Sequence, residues 1–209
     1  MLYLSPIRWY LFFKDNDLNY KKRIKEAVAK SQELQLKLTS NPIPFSEKIS
    51  EDKKQEILTH CFEVLQFHGF NSSEDLASKC TDVHLMLQYF LKTNLNITTY
   101  ITIGDRYWHD YIYCEMSYES IEKELKNPQV NEPIKAHVWL TLTDGTILDC
   151  TGEAHADLIF NRGDFPLHEC LHLSAPNEKE DPIEGYYRPY LIGTDFLEKT
   201  GVCQIIIPS

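Results

Sequence analysis

The chain lacks the features that identify several classes of protein. Its 209 residues contain no apolar run long enough to cross a bilayer, no internal repeat and no low-complexity segment. Basic residues are not in excess, because 31 acidic residues against 21 basic ones give a net charge of −10, which repels phosphate backbones and anionic lipid. The six cysteines include no C-x-x-C pair, which favours free thiols over a disulfide framework. We therefore expect a soluble protein with neither nucleic acid nor a membrane as its partner.

A secretion signal is also missing from the expected place. The apolar start, Met1–Phe13, contains Arg8, has no basic segment before it and is followed by no clear small-residue cleavage site. It is therefore predicted to be part of the core, and a cytoplasmic location is expected. Export by a route that needs no N-terminal signal, as for an effector, is compatible with the same sequence.

Helices dominate the predicted N-terminal part of the chain. Apolar positions recur at helical spacing from Leu18 to Leu38, and two prolines, Pro42 and Pro44, follow. A second helix is predicted from an N-cap at Ser50 to Phe67. A third helix carries Cys80, with Ser72, Ser73 and Ser78 as candidate N-caps. If this helix begins near Ser78, Cys80 lies in its first turn.

Strand-like periodicity begins after the third helix. Ile97–Ile103 is β-branched and alternating, Gly104 is predicted to end it, and a short helix is predicted over 117–126. Residues 136–143 and 146–151 are two strands joined by Asp144-Gly145, the dipeptide typical of a type I′ hairpin. Residues 152–185 are predicted to be loop, and 202–207 a closing strand.

Three side chains in this order have the chemistry of a thiol nucleophile. A cysteine attacks as its thiolate, which a helix N-terminus or an adjacent imidazole favours, and Cys80 is offered both. His137 would be the general base and then the acid, and Asp149 would hold its ring in the productive tautomer. The hairpin places His137 and Asp149 close together on paired strands, although not directly opposite each other.

These residues and their neighbours resemble a known family. A cysteine that opens a helix, followed by Ala136-His137-Val138-Trp139 and Leu148-Asp149-Cys150-Thr151, resembles the pattern of transglutaminase-like, papain-related cysteine proteases over residues 72–151. The resemblance implies an α+β, papain-like core in which a central helix carrying the cysteine packs on an antiparallel sheet. It also implies that Trp139 lines the site. One feature departs from the pattern, because no glutamine upstream of Cys80 is well placed for an oxyanion hole; Gln66 and Gln88 are poor candidates on spacing.

The resemblance further implies an activity and a domain organisation. The expected reaction is hydrolysis of, or acyl transfer from, a peptide, isopeptide or glutamine amide through a thioester, with no cofactor and with a protein or peptide as substrate. Residues 71–209 would form the cysteine-nucleophile domain, and residues 1–70 a helical segment packed on it. Trp108 and the tyrosine-rich stretch 107–118 are candidates for an aromatic substrate wall, and core packing is the alternative interpretation.

Other interpretations of the same residues remain open. Cys80 could be a small core residue, since cysteine is among the most buried residue types. The chain could also be a catalytically silent papain-like module that binds a partner protein through loops 152–190. His168, Cys170 and His172 alternate like zinc ligands, but no fourth ligand stands at a recognisable spacing.

Overall fold

The computed structural model describes residues 19–38, 43–108, 111–128 and 135–202, and within these ranges the fold is α+β. The helices are α1 (Tyr20–Glu33), α2 (Glu51–Phe67), α3 (Ser73–Leu76), α4 (Cys80–Leu95), α5 (Tyr118–Lys126), α6 (Gly152–Ile159), α7 (Leu167–Cys170) and α8 (Asp195–Lys199). The strands are β1 (Thr99–Trp108), β2 (Tyr111–Tyr113), β3 (His137–Leu142), β4 (Ile147–Asp149), β5 (His172–Ser174) and β6 (Tyr186–Ile192). They form one antiparallel sheet.

The long strand β1 organises this sheet. Along one edge, its first part pairs with β3 and its last part with β2, and its other edge pairs with β6. Strands β4 and β5 continue the sheet outward from β3. The pairing with β6 shifts register between Ile103 and Gly104, so Tyr190 is an extra residue on the β6 side. Pro189 lies at this bulge, where a missing backbone donor is tolerated.

Each face of the sheet is covered by a separate hydrophobic cluster. Val138 and Leu140 on β3 pack with Val83 and Leu87 of α4 in the larger cluster, which also includes residues of α2. Because side chains alternate along a strand, Trp139, which lies between these two residues, belongs to the opposite cluster with Tyr20 and Ile24 of α1. The first two helices thus contribute to the cores on the two sides of the sheet.

Several predicted elements are confirmed and others need adjustment. The α2 helix begins after Ser50, whose hydroxyl accepts a hydrogen bond from the Lys53 N–H, as an N-cap should. The first helix is shorter than predicted and ends at Glu33. Gly104 lies inside β1 instead of ending it, because β1 continues to Trp108.

The turn between β3 and β4 differs from the predicted type I′. A type I′ turn needs positive φ at both central residues, but only Gly145 has one, at 93°. The Gly145 N–H donates to the Leu142 carbonyl, and the Leu142 N–H donates to the Thr146 carbonyl. The connection is thus a three-residue loop whose last residue is the glycine.

The prediction that residues 152–185 are loop is wrong, because this range contains α6, α7 and β5. Strand β6 and helix α8 follow it and were not predicted. The predicted core segment Met1–Phe13 and residues 203–207 of the predicted closing strand lie outside the described residues. Among the helices that are described, none combines the length and the apolar composition that crossing a membrane requires.

Candidate active site

Cys80 is the first residue of α4. The preceding chain turns sharply, with Ser78 in the left-handed region at φ 63°, and the N-cap residue Lys79 provides no side-chain hydrogen bond. The first N–H groups of a helix have no intrahelical acceptor, and they concentrate positive potential at its N-terminus. Cys80 therefore lies where a thiolate and a developing oxyanion are both favoured. The residue is 9% exposed, and its Sγ lies 3.9 Å from the Ala136 carbonyl oxygen.

His137 and Asp149 are brought together by the hairpin. The register pairs Leu140 with Leu148, so His137 lies diagonally from Asp149 and not opposite it. Nε2 of His137 is 2.7 Å from Oδ2 of Asp149, and both side chains are buried. A buried carboxylate and imidazole at this distance form a charge-assisted hydrogen bond.

The Asp149 carboxylate is held by four further hydrogen bonds. Oδ1 accepts from the backbone N–H of Thr151 at 3.0 Å and of Gly152 at 2.9 Å, and from the Thr151 hydroxyl at 3.4 Å. Oδ2 accepts from the Tyr187 hydroxyl at 2.9 Å in addition to His137. Thr151, two positions after the aspartate, thus donates two of these hydrogen bonds. A carboxylate with this many donors is fixed in orientation and stabilised as an anion.

The charges of the two side chains are coupled. Burial alone would raise the pKa of Asp149, but the charge and hydrogen bond of His137, with His84 and Arg106, hold that pKa well below its usual range. Burial alone would lower the pKa of His137, but Asp149 and the neighbouring Cys80 thiol together raise the pKa to about 9. His137 therefore carries two protons at neutral pH.

The second nitrogen of His137 is the one left for an interaction with the cysteine. With Nε2 bonded to Asp149, only Nδ1 remains for the Cys80 thiol, whose contact with the ring contributes to the raised pKa of His137. Nδ1 is buried, and among the described residues it has no partner that meets hydrogen-bond geometry. A buried donor without a partner is costly, and a sulfur anion beside it would satisfy it.

Cys80 opens onto a cleft of about 470 Å³. Tyr113 and His155 form an aromatic wall, with their rings stacked at 4.2 Å between centroids, and Tyr113 also contacts His137 at 4.8 Å. Cys114 lines the same cleft, but burial and the neighbouring Cys80 raise the pKa of the Cys114 thiol to about 12. The cleft thus holds two thiols in different electrostatic surroundings.

A second cleft of about 510 Å³ meets the first at Tyr111, which lines both. Trp108 and the half-exposed Phe160 line this second cleft, and the Phe160 ring meets the Tyr111 ring edge to face. The guanidinium of Arg106 lies 4.2 Å from the Trp108 ring centre and is paired with Glu153 at 2.8 Å. The second cleft is thus lined by aromatic rings, and its two arginines are paired with carboxylates.

Trp108 and Trp139, which were both predicted to contact substrate, lie in different environments. Trp108 lines the second cleft. Trp139 is completely buried, with its ring against His137 at 5.5 Å and its Nε1 donating to the Tyr20 hydroxyl. The prediction for Trp139 is therefore corrected, because substrate cannot reach a side chain enclosed in the core; this residue instead packs against the imidazole of His137.

Other candidates from the sequence lie away from the cleft. Gln66 is exposed on α2, and the Gln88 amide donates to the Thr99 carbonyl, so neither is available to an oxyanion beside Cys80. His168 is exposed while Cys170 is buried, and among the described residues no group of three or more ligand-type side chains could hold a metal ion.

Two buried residues of the site were missed at the level of sequence. Tyr187 lies on β6, and the internal Pro189 of that strand is atypical of a strand inside a sheet. His84 follows Cys80 by one helical turn, and that i, i+4 spacing was the available signal. Its Nδ1 lies 2.7 Å from the Cys80 carbonyl oxygen, and its Nε2 accepts the Cys150 N–H at 3.1 Å.

No family model matches this chain, and no curated protein or solved structure matches it either. The interpretation of the site accordingly depends on its geometry and on the chemistry of its side chains.

Proposed function

We propose that this chain is a cysteine-nucleophile hydrolase or acyltransferase with a papain-like, transglutaminase-like core. It acts on a peptide, isopeptide or glutamine amide of a protein or peptide substrate. One observation carries the proposal: the buried His137–Asp149 pair uses Nε2 and leaves Nδ1 for the thiol of Cys80, at a helix N-terminus that opens onto a cleft.

The proposed reaction has two halves that share a thioester. The Cys80 thiolate attacks the carbonyl carbon, and the oxyanion that forms accepts hydrogen bonds from backbone N–H groups in the first turn of α4. The imidazolium of His137 gives its Nδ1 proton to the leaving nitrogen, and the C–N bond breaks. In the second half, water or an amine attacks the thioester and gives a proton to neutral His137. The Cys80 thiolate is then released. Asp149 keeps its charge throughout and stabilises the imidazolium.

The two clefts suggest how a substrate would lie. The amide would enter the first cleft beside Cys80, and a neighbouring side chain would rest in the second cleft against Trp108 and Phe160. Aromatic rings there favour a large apolar or aromatic group, because the arginines of that cleft are already paired with carboxylates. Of the two tryptophans that were predicted to contact substrate, we therefore propose this role for Trp108 alone.

The proposal is tested by trapping the acyl-enzyme. We expect p-nitrophenyl acetate to give a burst of nitrophenol and one added acetyl group, which peptide mass spectrometry locates on Cys80 as a thioester. Cys80→Ala should lose the burst completely. Cys114→Ala is the matched control, because it removes the other thiol of the same cleft and should keep the burst. A wild-type protein with neither burst nor thioester would be the silent, partner-binding module instead.

A further inference from the structure

His84 is a buried imidazole that the proposed reaction does not use. It is completely buried on α4, one turn after Cys80, and on that helix face a leucine would satisfy the core without any polar group. Burying an imidazole costs free energy unless its nitrogens are hydrogen-bonded. Both nitrogens of His84 are bonded, and each bonds to the backbone of a residue at or next to the triad.

The bonding pattern fixes the tautomer of this ring. The Cys150 N–H can only donate, so Nε2 of His84 must present a lone pair to it, at 3.1 Å. The hydrogen is therefore on Nδ1, which donates to the Cys80 carbonyl at 2.7 Å. Burial, together with the charge of His137, lowers the pKa of His84 to about 4, although Asp149 acts in the opposite sense. The ring is thus neutral wherever the proposed reaction would run.

The position of His84 connects two parts of the site that no other described side chain joins in this way. Its backbone belongs to α4, the helix that begins with Cys80, and its Nε2 holds the residue that follows Asp149. Nε2 also lies 3.8 Å from Oδ1 of Asp149, and the ring stands edge-on to His137 with centroids 6.5 Å apart. A displacement of this ring would therefore change the separation between the nucleophile and the carboxylate.

From this geometry we infer that His84 is a positioning residue: its neutral ring links α4 to the end of β4 and sets the distance between Cys80 and the His137–Asp149 pair. The inference rests on the proposed function. The bond to the Cys80 carbonyl stays within α4 and holds the ring in place, whereas the bond from the Cys150 N–H joins the two elements. A side chain that keeps only the second bond should therefore keep most of the effect.

The test measures how fast iodoacetamide alkylates Cys80 at pH 7, with peptide mass spectrometry to separate it from Cys114. In His84→Leu, which loses both bonds, we expect a rate on the order of 10- to 100-fold below wild type, because small misplacements of reacting groups have effects of that size. His84→Gln, whose amide can still accept the Cys150 N–H, should be faster than His84→Asn, whose shorter side chain cannot reach β4.

The matched control is Ser31→Ala. Ser31 is also completely buried, and its hydroxyl also accepts a backbone N–H, from Ile192, but it lies on α1 away from the clefts. This variant should lower the melting temperature and leave the Cys80 alkylation rate unchanged. The inference is overturned if the rate in His84→Leu lies within twofold of wild type, or if Ser31→Ala slows alkylation as much.

Two further results keep the test decisive. If His84→Leu does not fold, the order of the glutamine and asparagine variants decides, and equal rates or the reverse order overturn the inference. If wild-type Cys80 reacts no faster than Cys114, the proposed function fails, and the inference fails with it. If Cys80 is alkylated faster than Cys114 and this rate is the same in every His84 variant, the inference about His84 is wrong and the proposed function is unaffected.

Discussion

At the scale of single residues, the carboxylate of Asp149 carries the electrostatics of the site. It is buried, accepts hydrogen bonds from four residues and, together with the Cys80 thiol, raises the pKa of His137 to about 9. A buried anion is tolerated only when it is paired and bonded in this way. Its charge, and not only its shape, therefore keeps His137 protonated beside Cys80.

Asp149→Asn removes this charge while retaining nearly the same shape. We expect the pKa of His137 to fall well below 9, because burial then acts without the opposing anion, and we expect acylation of Cys80 to slow on the order of 10²- to 10⁴-fold. NMR titration of the His137 ring gives the first result, and the nitrophenol burst gives the second.

Tyr187→Phe is the graded control for that variant. It removes one donor to Oδ2 but leaves the charge, so the pKa of Asp149 should rise slightly and the His137 titration should move little. A His137 pKa that is the same in Asp149→Asn as in the wild type would show that the pair is not electrostatically coupled.

At the scale of elements, the junction of β4 and α6 fits closely around the carboxylate. Gly152 is the first residue of α6, and a Cβ built on it would overlap Oδ2 of Asp149 and lie 2.9 Å from Nη1 of Arg106. The glycine is thus required by the approach of the helix to the aspartate and not by an unusual φ.

Gly152→Ala should therefore displace Asp149 or the start of α6. We expect a loss of about 1–3 kcal/mol in the free energy of unfolding, the usual range for overpacking, together with a weaker nitrophenol burst. Chemical denaturation and the burst assay measure the two effects. Leu158→Ala, at a 61% exposed position of the same helix, should change neither. Wild-type stability and burst in Gly152→Ala would contradict this packing.

Local patterns predicted the elements whose signals lie within a few residues. Ser50 as N-cap of α2 and the proximity of His137 to Asp149 both follow from short-range periodicity or from one turn. The start of α4 at Cys80 was one of two possibilities. Sequence could not decide it, because three serines competed as caps, and Ser72 is in fact the N-cap residue of the short helix α3.

The missed features depend on contacts between distant parts of the chain. β6 contains Pro189, which a strand tolerates only because the bulge beside Gly104 leaves room for it. Gly104 was predicted to end β1, but a Cβ there would overlap the Arg188 carbonyl and lie 2.7 Å from the Trp139 ring. Trp139 lies buried behind His137 because α1 covers that face of the sheet, which its sequence motif alone does not indicate.

At the scale of the whole molecule, two histidines give stability a dependence on pH with opposite signs. His137 has a folded-state pKa of about 9, above its unfolded value near 6.5, so its contribution is complete below pH 6.5 and is lost as the pH rises through 9. His84 has a folded-state pKa of about 4, so stability is lost as the pH falls from 6.5 to 4, because the unfolded state takes up the proton first.

We therefore expect the free energy of unfolding to be highest near pH 6.5, with a loss of about 2–3 kcal/mol toward each extreme from these two groups. Urea denaturation at a series of pH values measures it. The difference between the wild-type and His84→Gln curves of unfolding free energy against pH isolates the loss at acid pH. The difference between the wild-type and Asp149→Asn curves isolates the loss at alkaline pH. A difference curve that is flat from pH 4 to 9 would contradict the assigned protonation states.

Within the part of the chain that the structure describes, Cys80 differs in its surroundings from Cys114, Cys150 and Cys170. Cys80 faces the protonated His137 at a helix N-terminus, whereas burial raises the pKa of Cys114 and of Cys170 to about 12, and Cys150 is raised well above its usual range by Cys61 and by burial. Accessibility alone cannot explain a preference for Cys80, since Cys114 is the more exposed thiol of the same cleft.

The most direct measurement is the relative rate at which limiting iodoacetamide labels Cys80 and Cys114 at pH 7, in the wild type and in His137→Ala. We predict that Cys80 reacts at least about tenfold faster than Cys114 and that His137→Ala removes this advantage, because the imidazolium favours the thiolate. Equal labelling of the two thiols in the wild type, or an advantage of Cys80 that survives the loss of His137, would contradict the proposed thiol–imidazole site.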